Sequence, residues 1–168
     1  MQAMLSRLKT LLAGSDPAAA VREPEGRRLA AAALLVEAAR QDGDYAPQER
    51  ALIRALLQKC FALTADETDA LMAGAEEAQA QATDLFRFTR AAVLGMDERG
   101  REALMEMLWH VVLSDGALHD HEASLMRRVA GLLHVEDHAS AAARRRVVEG
   151  LSEVRRDEEA PPGKGVDR

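Results

Sequence analysis

The chain has one cysteine, Cys60, in 168 residues, so it can form no intramolecular disulfide and no zinc site built on several thiolates. Aromatic residues make up 3% of it: Trp109, Tyr45, Phe61, Phe86 and Phe88. Isoleucine occurs only at Ile53, and valine is too sparse for a β-sandwich. No apolar run approaches the ~18–20 residues that span a bilayer, and no signal-like segment precedes the first helical pattern, so a cytosolic address is expected. An excess of basic residues is also missing. The formal net charge is −6, which gives no support to a phosphate-tracking surface or a nucleic-acid partner. Neither a Gly-x-Ser-x-Gly elbow, nor a phosphate loop, nor a dinucleotide fingerprint occurs, and no nucleophile stands at a useful spacing from His134 or His138. No small-molecule substrate and no enzymatic activity are expected.

What remains is alanine and leucine within a chain that is 48% hydrophobic and 30% charged, a composition that favours packed helices. Met1, Met4, Leu5, Leu8, Leu11 and Leu12 recur at helical spacing, with Arg7 and Lys9 on the other side. Residues 1–13 therefore read as an amphipathic helix, too short to stand alone in water, that docks on its own domain, a partner or a membrane surface. Residues 14–26, with Pro17 and Pro24, read as a linker, and residues 27–155 as the folded domain. From Arg27 a stripe of Leu29, Ala33 and Val36, widened by Leu34 and Leu35, predicts a helix that stops at Asp42-Gly43. Pro47 opens the next, which carries Leu52, Ile53, Leu56, Leu57, Cys60 and Phe61, with Cys60 read as an inert core thiol. Thr64 and Glu67 form a capping box, Thr83 and Asp97 can cap two further helices, and Leu85, Phe86, Phe88, Val93 and Leu94 mark the first of these. A helix from about 120 to 133 and one from about 136 to 154 follow, and the acidic, proline-containing residues 156–168 read as a disordered tail. The expected fold is all-α: a single bundle of about seven helices plus the amphipathic N-terminal helix.

One feature stands above this background. Asp42-Gly43-x5-Glu49 and Asp115-Gly116-x5-Glu122 share their spacing at an offset of 115 − 42 = 73 residues. The same offset matches Leu35 with Leu108, Leu52 with Leu125 and Arg54 with Arg127; with a one-residue gap, Phe61 and Leu63 fall on Leu133 and Val135. Two copies of helix, Asp-Gly turn, helix are expected, related by a pseudo-twofold. Gly-x5-Glu fits the sixth and twelfth positions of an EF-hand loop, but its first and third ligands would be Ala38 and Arg40, or Val111 and Leu113. Those side chains offer no oxygen that binds calcium, so an EF-hand is excluded. Each turn still gathers carboxylates, Asp42, Asp44 and Glu49 in one and Asp115, Asp120 and Glu122 in the other. Such oxygens suit Ca²⁺, Mg²⁺ or Mn²⁺, and His119 and His121 pull the second turn toward Zn²⁺. The competing reading is that Glu at the third helical position caps its own helix, and acids there favour the macrodipole.

These stretches resemble the TerB-like family, named for tellurite resistance protein B. The resemblance rests on Leu34 to Gly43 with Glu49 beyond it, on Met107 to Leu118, and on the continuation from Glu122 to Val135; Ala82 to Thr89 is also similar. It implies an all-helical bundle of about seven helices with internal pseudo-symmetry, an association with resistance to tellurite and other stresses, and divalent-metal binding by acidic turns. The same fold occurs fused to a J-domain in membrane-anchored co-chaperones. Carried over, the acidic-turn positions are Asp42, Asp44, Glu49, Asp115 and Glu122, while Ala46, Ala117 and His119 stand where relatives often place further acids. Tellurite reduction would need thiols or a redox cofactor, for which Cys60 is inadequate.

Two functions are compatible with these residues. One is a non-enzymatic module that binds a divalent cation at its turns and docks protein partners, with the membrane surface as a second docking place. The other is a structural interaction bundle whose acids only cap helices. Met1–Leu12 is also a candidate contact between copies of the chain. His110 beside Trp109 reads as a core-edge histidine, and Arg144-Arg145-Arg146 with Arg155 and Arg156 as a solvated helix face, since Glu149, Glu153 and Asp157 interleave them.

Overall fold

The computed structural model describes residues 24–159 except 42, 44, 82–85, 115, 117 and 119. The amphipathic N-terminal segment, the linker as far as residue 23, Thr83, Leu85 and the tail from residue 160 lie outside the described residues. Within them the chain forms seven α-helices and no strand: α1 (Pro24–Ala39), α2 (Pro47–Phe61), α3 (Ala65–Gln81), α4 (Phe86–Gly95), α5 (Glu98–Val112), α6 (Asp120–Leu132) and α7 (Asp137–Glu159).

The first helix starts inside the expected linker, because Pro24 has the φ a first-turn residue needs and no amide to satisfy. Its apolar residues do not form one stripe. Every residue from Leu29 to Val36 is buried, more than two full turns, so the helix has no solvent face over that length. It packs against α2, α3, α4 and α5 at once, and Ala30 to Ala33 keep its girth small enough for neighbours on all sides. α1 is the axle of the bundle. Around it α5 buries Leu104, Met105, Leu108 and Val112, and α7 closes over α5.

Caps fix where the helices begin. Thr64 Oγ1 accepts from the Glu67 amide (3.3 Å) while Glu67 Oε2 accepts from the Thr64 amide (2.8 Å), the expected box in full. These bonds hold the Glu67 carboxyl below its usual pKa, the Thr64 amide contributing most. Asp97 Oδ1 accepts from the Gly100 amide at 2.8 Å. Two helix ends use non-glycine residues in the left-handed region, Ala62 (φ 51°) after α2 and His134 (φ 54°) after α6. In each case the next residue, Leu63 or Val135, donates its amide five residues back, to Gln58 O (3.1 Å) or Ala130 O (2.9 Å), and buries its side chain.

Three further expectations need correction. Cys60 is exposed, not a core thiol: at that end of α2 the inward apolar position is taken by Leu63, folded back by the left-handed Ala62. The partial burial that remains pushes the thiol pKa up, away from reactivity. Leu94 is 46% exposed, because the short α4 turns Phe88, Ala91, Ala92 and Val93 toward the bundle and leaves Leu94 on its remaining side. The last helix does not stop near Val154 but runs to Glu159, since Arg, Asp and Glu are tolerated in a helix and the first strict breaker is Pro161.

Candidate functional site: the two glycine corners

Both α1 and α5 end in a corner whose glycine the backbone demands. Gly43 has φ 92° and donates its amide to Arg40 O at 3.1 Å; Gly116 has φ 85° and donates to Leu113 O at 3.0 Å. Any side chain there would be strained. The helix after each corner starts four residues past the glycine, at Pro47 and Asp120. The likeness extends along the chain: α1, α2 and α3 begin at residues 24, 47 and 65, and α5, α6 and α7 at 98, 120 and 137. In each trio the first helix packs on the other two.

Of the six candidate ligands, Asp42, Asp44 and Asp115 lie outside the described residues. Glu49 is half-buried in the first turn of α2, where its Oε2 accepts from the Ala46 amide at 2.9 Å. That carboxylate is engaged in a helix cap. Asp120 is exposed in the first turn of α6, and Glu122, half-buried one residue beyond the exposed His121, has an interaction of its own. His119 lies outside the described residues. Among the described residues no three His, Cys, Asp or Glu side chains converge on a point where they could share an ion. A metal site would therefore need the corner aspartates to complete it.

The structure also shows a polar network at the first corner that sequence reasoning missed. Tyr45, two residues beyond Gly43, donates its hydroxyl to Glu76 Oε1 on α3 at 3.0 Å. Arg50 on α2 donates to the same oxygen at 2.7 Å, which raises its already high pKa. The Arg40 guanidinium lies over the Tyr45 ring, 5.1 Å from its centroid, and donates to Gln79 Oε1 at 2.6 Å. Gln79 in turn donates to Glu37 Oε2 (2.8 Å), and Gln41 donates to Glu37 Oε1 (2.8 Å). Burial first, then the bond to Glu76, drives the Tyr45 phenol pKa well above its ordinary value. The corner is thereby pinned to the second half of α3. Tyr45 and Glu76 are 31 residues apart, and no motif or spacing marks such a pair. The one available signal was that the sole tyrosine stands beside the corner.

The second corner is built differently. Arg155, near the end of α7, reaches over Gly116, and its Nη2 would lie 2.7 Å from any Cβ placed there. His110, inside the helix that leads to this corner, is half-buried, and burial lowers its pKa against the pull of Glu106, so it stays neutral at the core edge. Trp109 beside it is buried and donates Nε1–H to Ser140 Oγ at 3.2 Å. Arg144 covers its ring at 5.6 Å.

A family model described as tellurite resistance protein TerB matches residues 28–145. That span runs from α1 into α7 and takes in both corners. No curated protein and no solved structure matches the chain.

Proposed function

The chain belongs to the TerB family, and from that premise we propose that it is a non-enzymatic helical module that binds a divalent cation at its two glycine corners and docks protein partners. The observation that carries this reading is the matched corner geometry: two left-handed glycines, each preceded by an aspartate in sequence and each followed at the same distance by a helix with Glu at its third position. Asp42, Asp44 and Glu49 at one corner, and Asp115, Asp120 and Glu122 at the other, would offer hard oxygens that suit Ca²⁺, Mg²⁺ or Mn²⁺ better than Zn²⁺. A bound ion would supply positive charge to each corner. The helices joined there would then keep a fixed angle, and the surface offered to a partner would follow it.

A second reading is favoured by one specific contact. Glu49 already caps α2 through the Ala46 amide, so the acids could serve helix ends alone within a structural interaction bundle. Titration calorimetry of Ca²⁺, Mg²⁺, Mn²⁺ and Zn²⁺ into metal-stripped protein separates the two. Saturable heat that an Asp115→Asn/Glu122→Gln variant diminishes is expected of the ion-binding module. Heats equal to buffer dilution for all four ions would leave the acids as caps.

A further inference from the structure

The arginines of α7 alternate with glutamates in sequence, yet the helix sorts them. Ser140, Ala143 and Val147 face inward. At 100° per residue, Ala141, Arg144, Arg145, Val148, Arg155 and Arg156 fall within one arc of about 120° that begins beside the inward side, at Arg144 and Arg155, and ends opposite it, at Arg145 and Arg156; all six are exposed. Glu149 and Glu153 lie along one edge of this stripe, while Arg146 turns away from it to Glu106, whose Oε2 it meets at 2.6 and 2.8 Å. The stripe carries four arginines, Arg144, Arg145, Arg155 and Arg156, whereas α7 as a whole has five arginines and six acids, in a chain whose net is −6. Composition alone would not concentrate positive charge in this way. At its middle the stripe holds Val148, 44% exposed, beside a shallow hollow of about 390 Å³ bordered by Ala141, Arg144, Arg145, Val148 and Glu149.

We propose that this outward face of α7 is a docking surface for an anionic lipid bilayer. The inference goes beyond the corner reading and stands whether or not the corners take ions. An apolar side chain flanked by guanidinium groups matches the layering of a membrane interface, where acyl chain meets phosphate. A nucleic acid has no use for the valine. In a bilayer, anionic lipids diffuse to the stripe and the rest of the molecule stays in water. The face is one helix side, roughly 24 Å long for 16 residues, on which Arg145 and Arg156, about 20° apart around the helix, can meet a flat surface together.

The test is flotation of the full chain with vesicles of phosphatidylcholine, with and without one-third phosphatidylglycerol, at low and high salt. Arg145→Gln/Arg156→Gln is the informative variant, because Arg144 also covers Trp109 and Arg155 reaches Gly116. The wild type is expected to float with the anionic vesicles only and to be released by salt. The variant should bind about 25-fold more weakly, at about fivefold per arginine, with an unchanged circular dichroism spectrum. Failure of the wild type to float would overturn the proposal. So would equal flotation of wild type and variant, which would assign the binding to another segment, Met1–Leu12 first. Equal binding to neutral vesicles would also refute it.

Discussion

Tyr45 is the only tyrosine in the chain, so its ionisation can be followed without interference from another phenol. In the folded protein its hydroxyl bonds Glu76 Oε1 at 3.0 Å, and burial together with that carboxylate opposes loss of the phenolic proton. In unfolded chain the phenol titrates near 10. A raised folded pKa means that the contribution of the neutral phenol is fully present below about pH 10 and is lost as pH rises beyond it, because the unfolded chain ionises first. Tyr45→Phe keeps the ring under Arg40 and removes only the hydroxyl. Glu76 then retains Arg50 at 2.7 Å, and its side chain, 25% exposed, can take up water. A hydrogen bond to a charged group contributes about 1.5–3 kcal/mol, and this partial exposure and surviving partner bring the expected loss to about 1 kcal/mol. Urea unfolding at neutral pH measures that loss, and phenolate absorbance through an alkaline titration measures the shift. If the folded wild type showed half-ionisation near pH 10, or if Tyr45→Phe left the urea midpoint unchanged, the account of the first corner as pinned to α3 would be wrong.

Three further outcomes are expected. Ala62→Gly and His134→Gly should each raise stability by about 0.5–1 kcal/mol in thermal or urea unfolding, because a left-handed residue with a Cβ is replaced by one that adopts φ near 50° without strain. Trp109→Phe should cost about 2 kcal/mol by urea unfolding, since it shrinks a buried side chain and leaves Ser140 Oγ without its donor; a neutral outcome would mean that Ser140 finds another partner. Ala32→Leu should cost at least ~1–3 kcal/mol or abolish cooperative unfolding, whereas Ala141→Leu on the outer face of α7 should change stability by less than about 0.5 kcal/mol.

Helix boundaries were legible wherever a local chemical signal set them. The Thr64–Glu67 box, Asp97, Pro47 and the corner glycines Gly43 and Gly116 each act within four residues, and each appears where the sequence placed it. Burial was less legible. A run of small apolar residues such as Ala30–Ala33 fits an amphipathic stripe and a fully buried axle equally well, and only the positions of four neighbouring helices decide between them. Cys60 failed for a related reason: period 3.6 gives its direction, but whether anything packs there depends on the left-handed Ala62 two residues later. At the corners the glycine geometry was legible, and Glu49 does cap its helix. The bonds from Tyr45 and Arg50 to Glu76 cross 31 and 26 residues and are properties of the packed bundle alone.

The buried course of α1 also governs where this protein has room to change. A helix enclosed on every side gives up the freedom a surface helix keeps on its solvent side, and each of its positions from Leu29 to Val36 is set against a neighbour. An added methylene there presses on a packed partner whichever way it points, and a deleted one opens a void. The segment that carries the chain into the first corner is thus the least able to be retuned in place. Any adjustment of ligand, partner or affinity has to be written at the ends of the axle, in the turns around Gly43 and Gly116, and on the outer shell of helices that the axle holds in position.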